Sequence, residues 1–397
     1  MSKLPQAQPA LPRVLWALLF GNFVIGSGVM VVPGTLNDIS ASLAISIPAA
    51  GQLISAAALL MCLGAPLLAG VVSTWDRRQL LTGCMLWYGV MHMVCAAMPS
   101  FETLLVARVL TVVSPAVFTP QAAACVGVMV PPHQRGRAIS LVFLGWSVAS
   151  VVGMPIGSWV GGSLGWRYAF VLVGLLSCAS AAWVWQTMPR GLTPPAFTFD
   201  TWRQTFRSRG LLLCIGVTAL YSAGQFVLFS YFAPYFKATL SISPVQLSLM
   251  FAWFGAFGFL GNLWISHNID RMGAAKSVTL AIGLIACSLT LWPLGNSLIM
   301  AGFILVPWAL GCFAANSAQQ ARLVGLAPDL ASGSIALNTS AMYAGQALGA
   351  ASGGWLIAHG AMSQLHVAGL AIVLLSMFLS LYATRVAGRF FNHHPAD

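Results

Sequence analysis

Apolar runs of about twenty residues or more, separated by short polar breaks, fill this chain from one end to the other. A run of that length spans about 30 Å of hydrocarbon as a helix, and twelve of them read as a polytopic all-α membrane protein. The pattern predicts helices over 13–35, 48–72, 79–98, 102–126, 137–162, 165–188, 211–236, 244–267, 275–293, 297–320, 332–358 and 363–386. The first run continues past Met30, too long for a cleaved signal peptide, so a retained first helix is expected. No appended soluble domain is expected.

The longest connection, residues 189–210, falls midway and divides the helices six and six. The predicted layout is a tail (1–12), a six-helix bundle (13–188), a linker (189–210), a second six-helix bundle (211–387) and a tail (388–397). The halves repeat each other. STWDRRQLL carries Asp76, Arg77 and Arg78 between the second and third helices. NIDRMGAAK carries Asp270, Arg271 and Gly273 between the eighth and ninth, and the two aspartates stand 194 residues apart. The fifth helix contains Gly153, Pro155, Gly157 and Gly161; the eleventh contains Gly345, Gly349 and Gly353. Gly153 and Gly349 are 196 residues apart, as are Gly157 and Gly353. Glycine at every fourth position clears one helix face for close approach of another backbone. Two such halves joined by a long linker form two pseudo-symmetric bundles.

Composition fixes the environment. Of the residues, 58% are hydrophobic and 6% charged, far below the quarter typical of soluble domains. The net charge of +11 concentrates in connections on one side of the predicted membrane, including Arg13, Arg135, Arg190, Arg203, Arg207 and Arg209. The positive-inside bias makes that side cytoplasmic and puts both termini there, so the basic balance needs no nucleic acid. The linker's arginines are expected to lie against anionic lipid heads. Eight cysteines sit in apolar runs without CxxC spacing and suggest neither metal nor disulfides. A Walker motif, a nucleophile elbow and a metal cluster are all absent from the sequence, so no enzyme and no cofactor is expected.

Four stretches resemble the major facilitator superfamily, and within it the drug-proton antiporter-1 branch of sugar, arabinose and nucleoside efflux permeases. GAPLLAGVVSTWDRRQLL is similar to the superfamily's loop signature, with Thr74 and Trp75 where Asp and Arg usually fall. ARVLTVVSPA resembles the fourth-helix motif, with Arg108 at its arginine and Thr111-Val112 replacing Gln-Gly. SVVGMPIGSWVGGSLGWRYAF resembles the antiporter motif, and LAPDLASGSIALNTSAMYAGQALGAASGG the eleventh helix of sugar exporters. The resemblance implies an exporter of a small organic solute at the bacterial inner membrane, coupled to protons and working by alternating access. The aspartates at 76 and 270 would then act as gates between states. A monomer is expected. Two other readings stay open on the sequence: an uncoupled facilitator, and a non-transporting sensor on the same scaffold.

A solute site would use the few polar groups inside the spans. The candidates are Asn22, Gln52, Arg108 and Gln121 in the first half, with Tyr221, Gln225, Asn316, Gln319, Asn338 and Tyr343 in the second. Amides read hydroxyls through both donor and acceptor, and tyrosines offer flat faces. None of the seven acids falls mid-span. Asp38, at the end of the first helix, and His92, in the third, are therefore the candidate proton carriers.

Overall fold

A computed structural model describes residues 11–72, 74–131, 134–193 and 199–391. Residues 1–10 and 392–397 of the predicted tails, with His393-His394, lie outside the described residues. The first half begins with α1 (Leu11–Ser42), α2 (Ile47–Val71) and α3 (Arg77–Ala97). Its fourth crossing is α4 (Phe101–Thr111) and α5 (Val113–Met129), interrupted at Val112. The fifth is α6 (Arg135–Val148), a π-turn over Ala149–Gly153 and α7 (Met154–Leu164); the sixth is α8 (Trp166–Thr187). A short linker helix, α9 (Phe199–Arg207), leads to α10 (Arg209–Phe229) and α11 (Phe232–Leu240), which together make the seventh crossing. The remaining five are α12 (Pro244–Met272), α13 (Ala274–Leu291), α14 (Leu298–Leu326), α15 (Ala331–Ala358) and α16 (Leu365–Phe391).

Helix starts follow side-chain capping. Asp76, Ser100, Ser208 and Ser297 each accept from a backbone N–H in the first turn of the helix that follows. Ser243 and Gln246 complete a reciprocal capping box on α12. Among the described residues, eleven helical runs are long and apolar enough to cross a membrane. The Ala331–Ala358 helix is not among them, because Asn338, Thr339, Ser340, Tyr343 and Gln346 and its many small residues lower its hydropathy. It packs between α2 and α10, where small size matters more than apolarity.

Several predicted boundaries move; the eighth helix runs on to Met272 and takes in Asp270 and Arg271, which were expected in a connection. The first helix continues to Ser42 through Pro33, so Asp38 is a helical residue rather than one past the helix end. Ser158 Oγ of α7 donates to the Gly34 carbonyl at 3.2 Å, holding the chain in register there. The tenth helix continues to Leu326 and takes Arg322 with it. That arginine is expected in a connection, yet it is buried. Its guanidinium donates to Ser380 Oγ (3.1 Å), the Ser380 carbonyl (3.2 Å) and Thr384 Oγ1 (3.0 Å) of α16, which satisfy the buried charge. The seventh helix breaks at Ser230-Tyr231, which the apolar pattern did not register.

The glycine faces are spent within each half. Gly145, Gly153 and Gly161 face α1, where a Cβ would meet the Leu19 carbonyl, Ser27 and Thr35 respectively. Gly345, Gly349 and Gly353 face α10, where a Cβ would fall 2.3 Å from the carbonyls of Ala219, Ala223 and Val227. Backbone cannot give way as a side chain can. Gly349→Ala should therefore push α15 from α10 and destabilise by about 1–3 kcal/mol. At Gly157 a Cβ would sit 3.5 Å from Val31 Cγ2, ordinary contact. Thermal melts of the two purified alanine variants should separate, with Gly157→Ala near the parent and Gly349→Ala well below it.

Candidate functional site

Each half contains a polar relay linking three helices, at matching positions. In the first, Thr119 Oγ1 of α5 donates to Asn22 Oδ1 of α1 at 2.8 Å, and Asn22 Nδ2 donates to the Val142 carbonyl of α6 at 3.3 Å. In the second, Thr218 Oγ1 of α10 donates to Asn338 Oδ1 of α15 at 2.5 Å. Asn338 Nδ2 in turn donates to Asn316 Oδ1 of α14 at 3.2 Å. Asn22 and Thr218 are 196 residues apart, Val142 and Asn338 likewise, and Thr119 and Asn316 are 197 apart. The relays thus occupy equivalent places in the two halves. Asn22 and Asn338 are fully buried, while Thr119 and Asn316 are partly exposed. Thr119 and Thr218 were not among the sequence candidates. The 196-residue offset that pairs the glycines leads from Asn22 to Thr218, and Thr119 lies one residue off it.

A third centre gathers around a buried cation. Arg108 of α4 is buried, and only Nη2 has a partner, the Val29 carbonyl of α1 at 3.4 Å. Its Nε and Nη1 are buried and unpartnered. Tyr88 and His92 of α3 lie within its field. Tyr88 donates to the Ile25 carbonyl at 3.0 Å, and its ring meets the His92 ring edge-on at 4.3 Å. His92 Nδ1 bonds the Tyr88 carbonyl at 2.8 Å, and Nε2 is unpartnered. Gly28 of α1 leaves room for both rings, since a Cβ there would fall 2.4 Å from the Tyr88 hydroxyl and 2.8 Å from His92 Nε2. From the other half, Tyr343 of α15 packs with Ala57, Met61 and Val112, the last at the end of α4, the helix that holds Arg108.

The other candidates scatter. Gln225 accepts from Trp308 Nε1 at 3.2 Å, and Gln319 donates to the Cys214 carbonyl, so both serve contacts within the second half. Tyr221 is buried in α10, its hydroxyl unpartnered, one turn from Thr218. Gln121 is buried in α5. Gln52 stands apart, exposed in a crevice of about 370 Å³ between α2 and α15 with Tyr231 and Trp355. Asp38 is half-buried on α1, and Lys237 of α11 is the cation acting on it.

Contacts between the halves cluster at the end where α1 finishes and α2 begins. Tyr231 projects from the break in the seventh crossing into a hollow of three glycines, Gly51 of α2 with Gly353 and Gly354 of α15. Its hydroxyl donates to the Ala350 carbonyl at 2.7 Å. A Cβ on Gly51 would fall 2.1 Å from that hydroxyl. Ser248 of α12 donates to the Pro155 carbonyl at 2.9 Å, Pro244 packs on Gly162, and Gly255 meets the Ser150 carbonyl of the π-turn. At the opposite end, Asp76 does not reach the second half. One oxygen caps α3 through the Gln79 N–H, and the other accepts from the Gly191 N–H of the linker. Arg77 is buried and donates to the carbonyls of Val72 and Trp75, and Arg78 stacks 4.2 Å from the Trp185 ring centre. Asp270 and Arg271 end α12, and Gly273 closes it with φ +81°, a conformation that favours glycine.

Twelve crossings in two matched halves, with polar centres inside and closure at one end, define a membrane transporter fold. The chain belongs to the major facilitator superfamily, whose family description matches residues 18–350. It is 28% identical over 372 residues to the inner membrane transport protein YdhP of Escherichia coli K12, covering 91% of this chain and 95% of that one. It is 31% identical over 268 residues to a chloramphenicol resistance protein of Streptomyces lividans, covering 66% and 68%. Among solved structures, a bacterial homologue of the human lysosomal transporter Spinster, inward-facing and unoccupied, superposes with a TM-score of 0.78 at 19% identity, covering 96% of this chain and 98% of that one.

The relays make a stability prediction. In a double-mutant cycle of Thr119→Val with Asn22→Leu, the coupling should be about 0.5–1.5 kcal/mol, as for interhelical hydrogen bonds in other membrane proteins. The cycle of Thr218→Val with Asn338→Leu should match it. Denaturation of the reconstituted variants measures both. A coupling of zero in either half would mean that its hydrogen bond adds no stability.

Proposed function

We propose that this transporter exports a small organic solute across the bacterial inner membrane in exchange for protons, by alternating access, as a monomer with both termini in the cytoplasm. The observation that carries the reading is the one-ended closure. Tyr231, Ser248, Pro244 and Gly255 hold the halves together at the α1–α2 end. At the other end, the gate aspartate of the first half is bonded to its own helix and the linker. That is the arrangement of a pathway open toward the Asp76 end, which the arginine distribution makes cytoplasmic. The likeness to a structure described as inward-facing supports it. Export is favoured by the relative named for chloramphenicol resistance and by the fifth-helix glycines and Pro155.

The solute meets the two relays and the Arg108 centre, with Tyr343 contributed by the opposite half. Opening at the α1–α2 end requires Gly51 of α2 to part from the Tyr231 ring, which stays bonded to Ala350 of its own half. Arg108 has buried donors to spare, and hydrogen bonds to a charged group are worth about 1.5–3 kcal/mol. Arg108→Ala should therefore lower export by about tenfold or more with protein abundance unchanged. Counterflow of labelled solute in proteoliposomes measures it, and parental flux in that variant would remove Arg108 from the pathway.

The proton is carried by Asp38, the acid on α1 beside Lys237. Asp38→Asn should abolish uphill transport driven by a pH gradient yet preserve solute exchange, because exchange moves no net proton. If pH-driven accumulation persists in Asp38→Asn and is lost in His92→Gln, the carrier is His92. If a pH gradient drives no accumulation in the parent either, the protein is an uncoupled facilitator.

A further inference from the structure

A groove of about 560 Å³ lies outside the bundle between the start of α10 and the end of α16. Its walls are Leu212, Leu213, Gly216, Leu379 and Val386, with Tyr382 and Arg209 at the mouth. Gly216 sets its depth: a Cβ there would sit 3.4 Å from Leu379 Cδ2, and a larger side chain would fill the space. The walls are apolar and their mouth is basic. Arg209 is the first residue of α10 and is exposed. Arg385 is exposed one turn beyond Tyr382 on α16, on the same side of the helix. The linker helix α9 packs against the start of α10 and adds exposed Arg203 and Arg207. Neither α10 nor α16 contains a carboxylate. The start of α10 also presents the positive end of its dipole.

We propose that this groove is a binding site for one anionic glycerophospholipid, with an acyl chain lying along Gly216 and the phosphate held between Arg209 and Arg385. An apolar slot of several hundred Å³ takes a chain-sized ligand. A cluster of arginines where a helix leaves the hydrocarbon recognises the anionic head. The exposed Tyr382 ring, beside the mouth, suits the glycerol level of the interface. The site is separate from the solute centres and does not depend on what is transported.

Native mass spectrometry of the full-length protein, titrated with dioleoyl phosphatidylglycerol or dioleoyl phosphatidylcholine, tests it. The two lipids share chains and differ in charge. Parent protein should prefer the glycerol lipid by about tenfold or more, because two arginines meet a net negative head there and a head neutralised by choline in the other lipid. Arg209→Gln with Arg385→Gln should erase that preference, weakening the glycerol lipid far more than phosphatidylcholine. Gly216→Phe should weaken both lipids alike by occupying the chain slot. Equal affinity for the two lipids in the parent, an intact preference in the double variant, or lipid binding indifferent to Gly216→Phe would each overturn the proposal. A dimer that dissociates on Gly216→Phe would overturn it too, by making a second copy the occupant.

Discussion

Backbone in hydrocarbon must bond to itself, so the crossings are helices, and helices in lipid gain little from burying apolar side chains against one another. What remains to hold them is close approach. In this protein glycines bring helices together at several seams; two of them, α1 with α6–α7 and α10 with α15, hold the polar relays. Residues with small or absent side chains line both. The two relays are placed by these seams. Asn22 reaches the Val142 carbonyl because Gly145 lets α6 approach α1 there, and Asn338 reaches Thr218 because Gly345 does the same for α15 and α10. Gly28 likewise admits Tyr88 and His92 to the flank of α1.

The same principle is used between halves. Tyr231 sits against Gly353 and Gly354 of its own half and faces Gly51 of α2 across the interface, a contact that can part without breaking backbone pairing. Its hydrogen bond goes to the Ala350 carbonyl of its own half, so parting the halves leaves that bond in place. Between the halves, Gly255 of α12 also brings main chain against the Ser150 carbonyl, as Gly345, Gly349 and Gly353 do against α10 within the second half.

Much of this was legible in the sequence. Twelve runs, the mid-chain linker and the glycine spacing are consequences of bilayer thickness and helix periodicity, which act on every residue of a span. The breaks at Val112 and Ser230-Tyr231 and the π-turn at Ala149–Gly153 were not legible, because an apolar run looks the same whether its helix is continuous or offset. Arg322 was misplaced for a related reason. A charge near the end of a span reads as a loop residue, and only the hydroxyls of Ser380 and Thr384 on a distant helix make its burial tolerable. Among site candidates, Asn22, Asn316 and Asn338 do join relays, and Arg108, His92 and Tyr343 share one region. Gln225 and Gln319 serve packing contacts that composition cannot distinguish from a solute site. Gln52 differs by facing a crevice at the seam between halves.

The two gate motifs, alike in sequence, are unlike in attachment. Asp76 divides its oxygens between the start of α3 and the Gly191 amide, and the Arg77 N–H donates to the Leu192 carbonyl beside it. The loop between the second and third helices is thereby tied to the first residues of the linker. Asp270 makes no hydrogen bond or ion pair among the described residues; its turn is held by Gly273, whose carbonyl accepts from the Ser277 hydroxyl. For Asp76 to contact the second half it must first give up Gly191, a charge-assisted bond of a kind worth about 1.5–3 kcal/mol. Asp270 has no such bond to release. The attachment also accounts for the departure of the first motif from the superfamily signature. With Arg77 turned inward onto the Val72 and Trp75 carbonyls, and Arg78 stacked on Trp185, the loop's own cations hold its shape. The charged pair that the signature places at positions 74 and 75 is then not needed to shape the turn, and Thr and Trp can stand there.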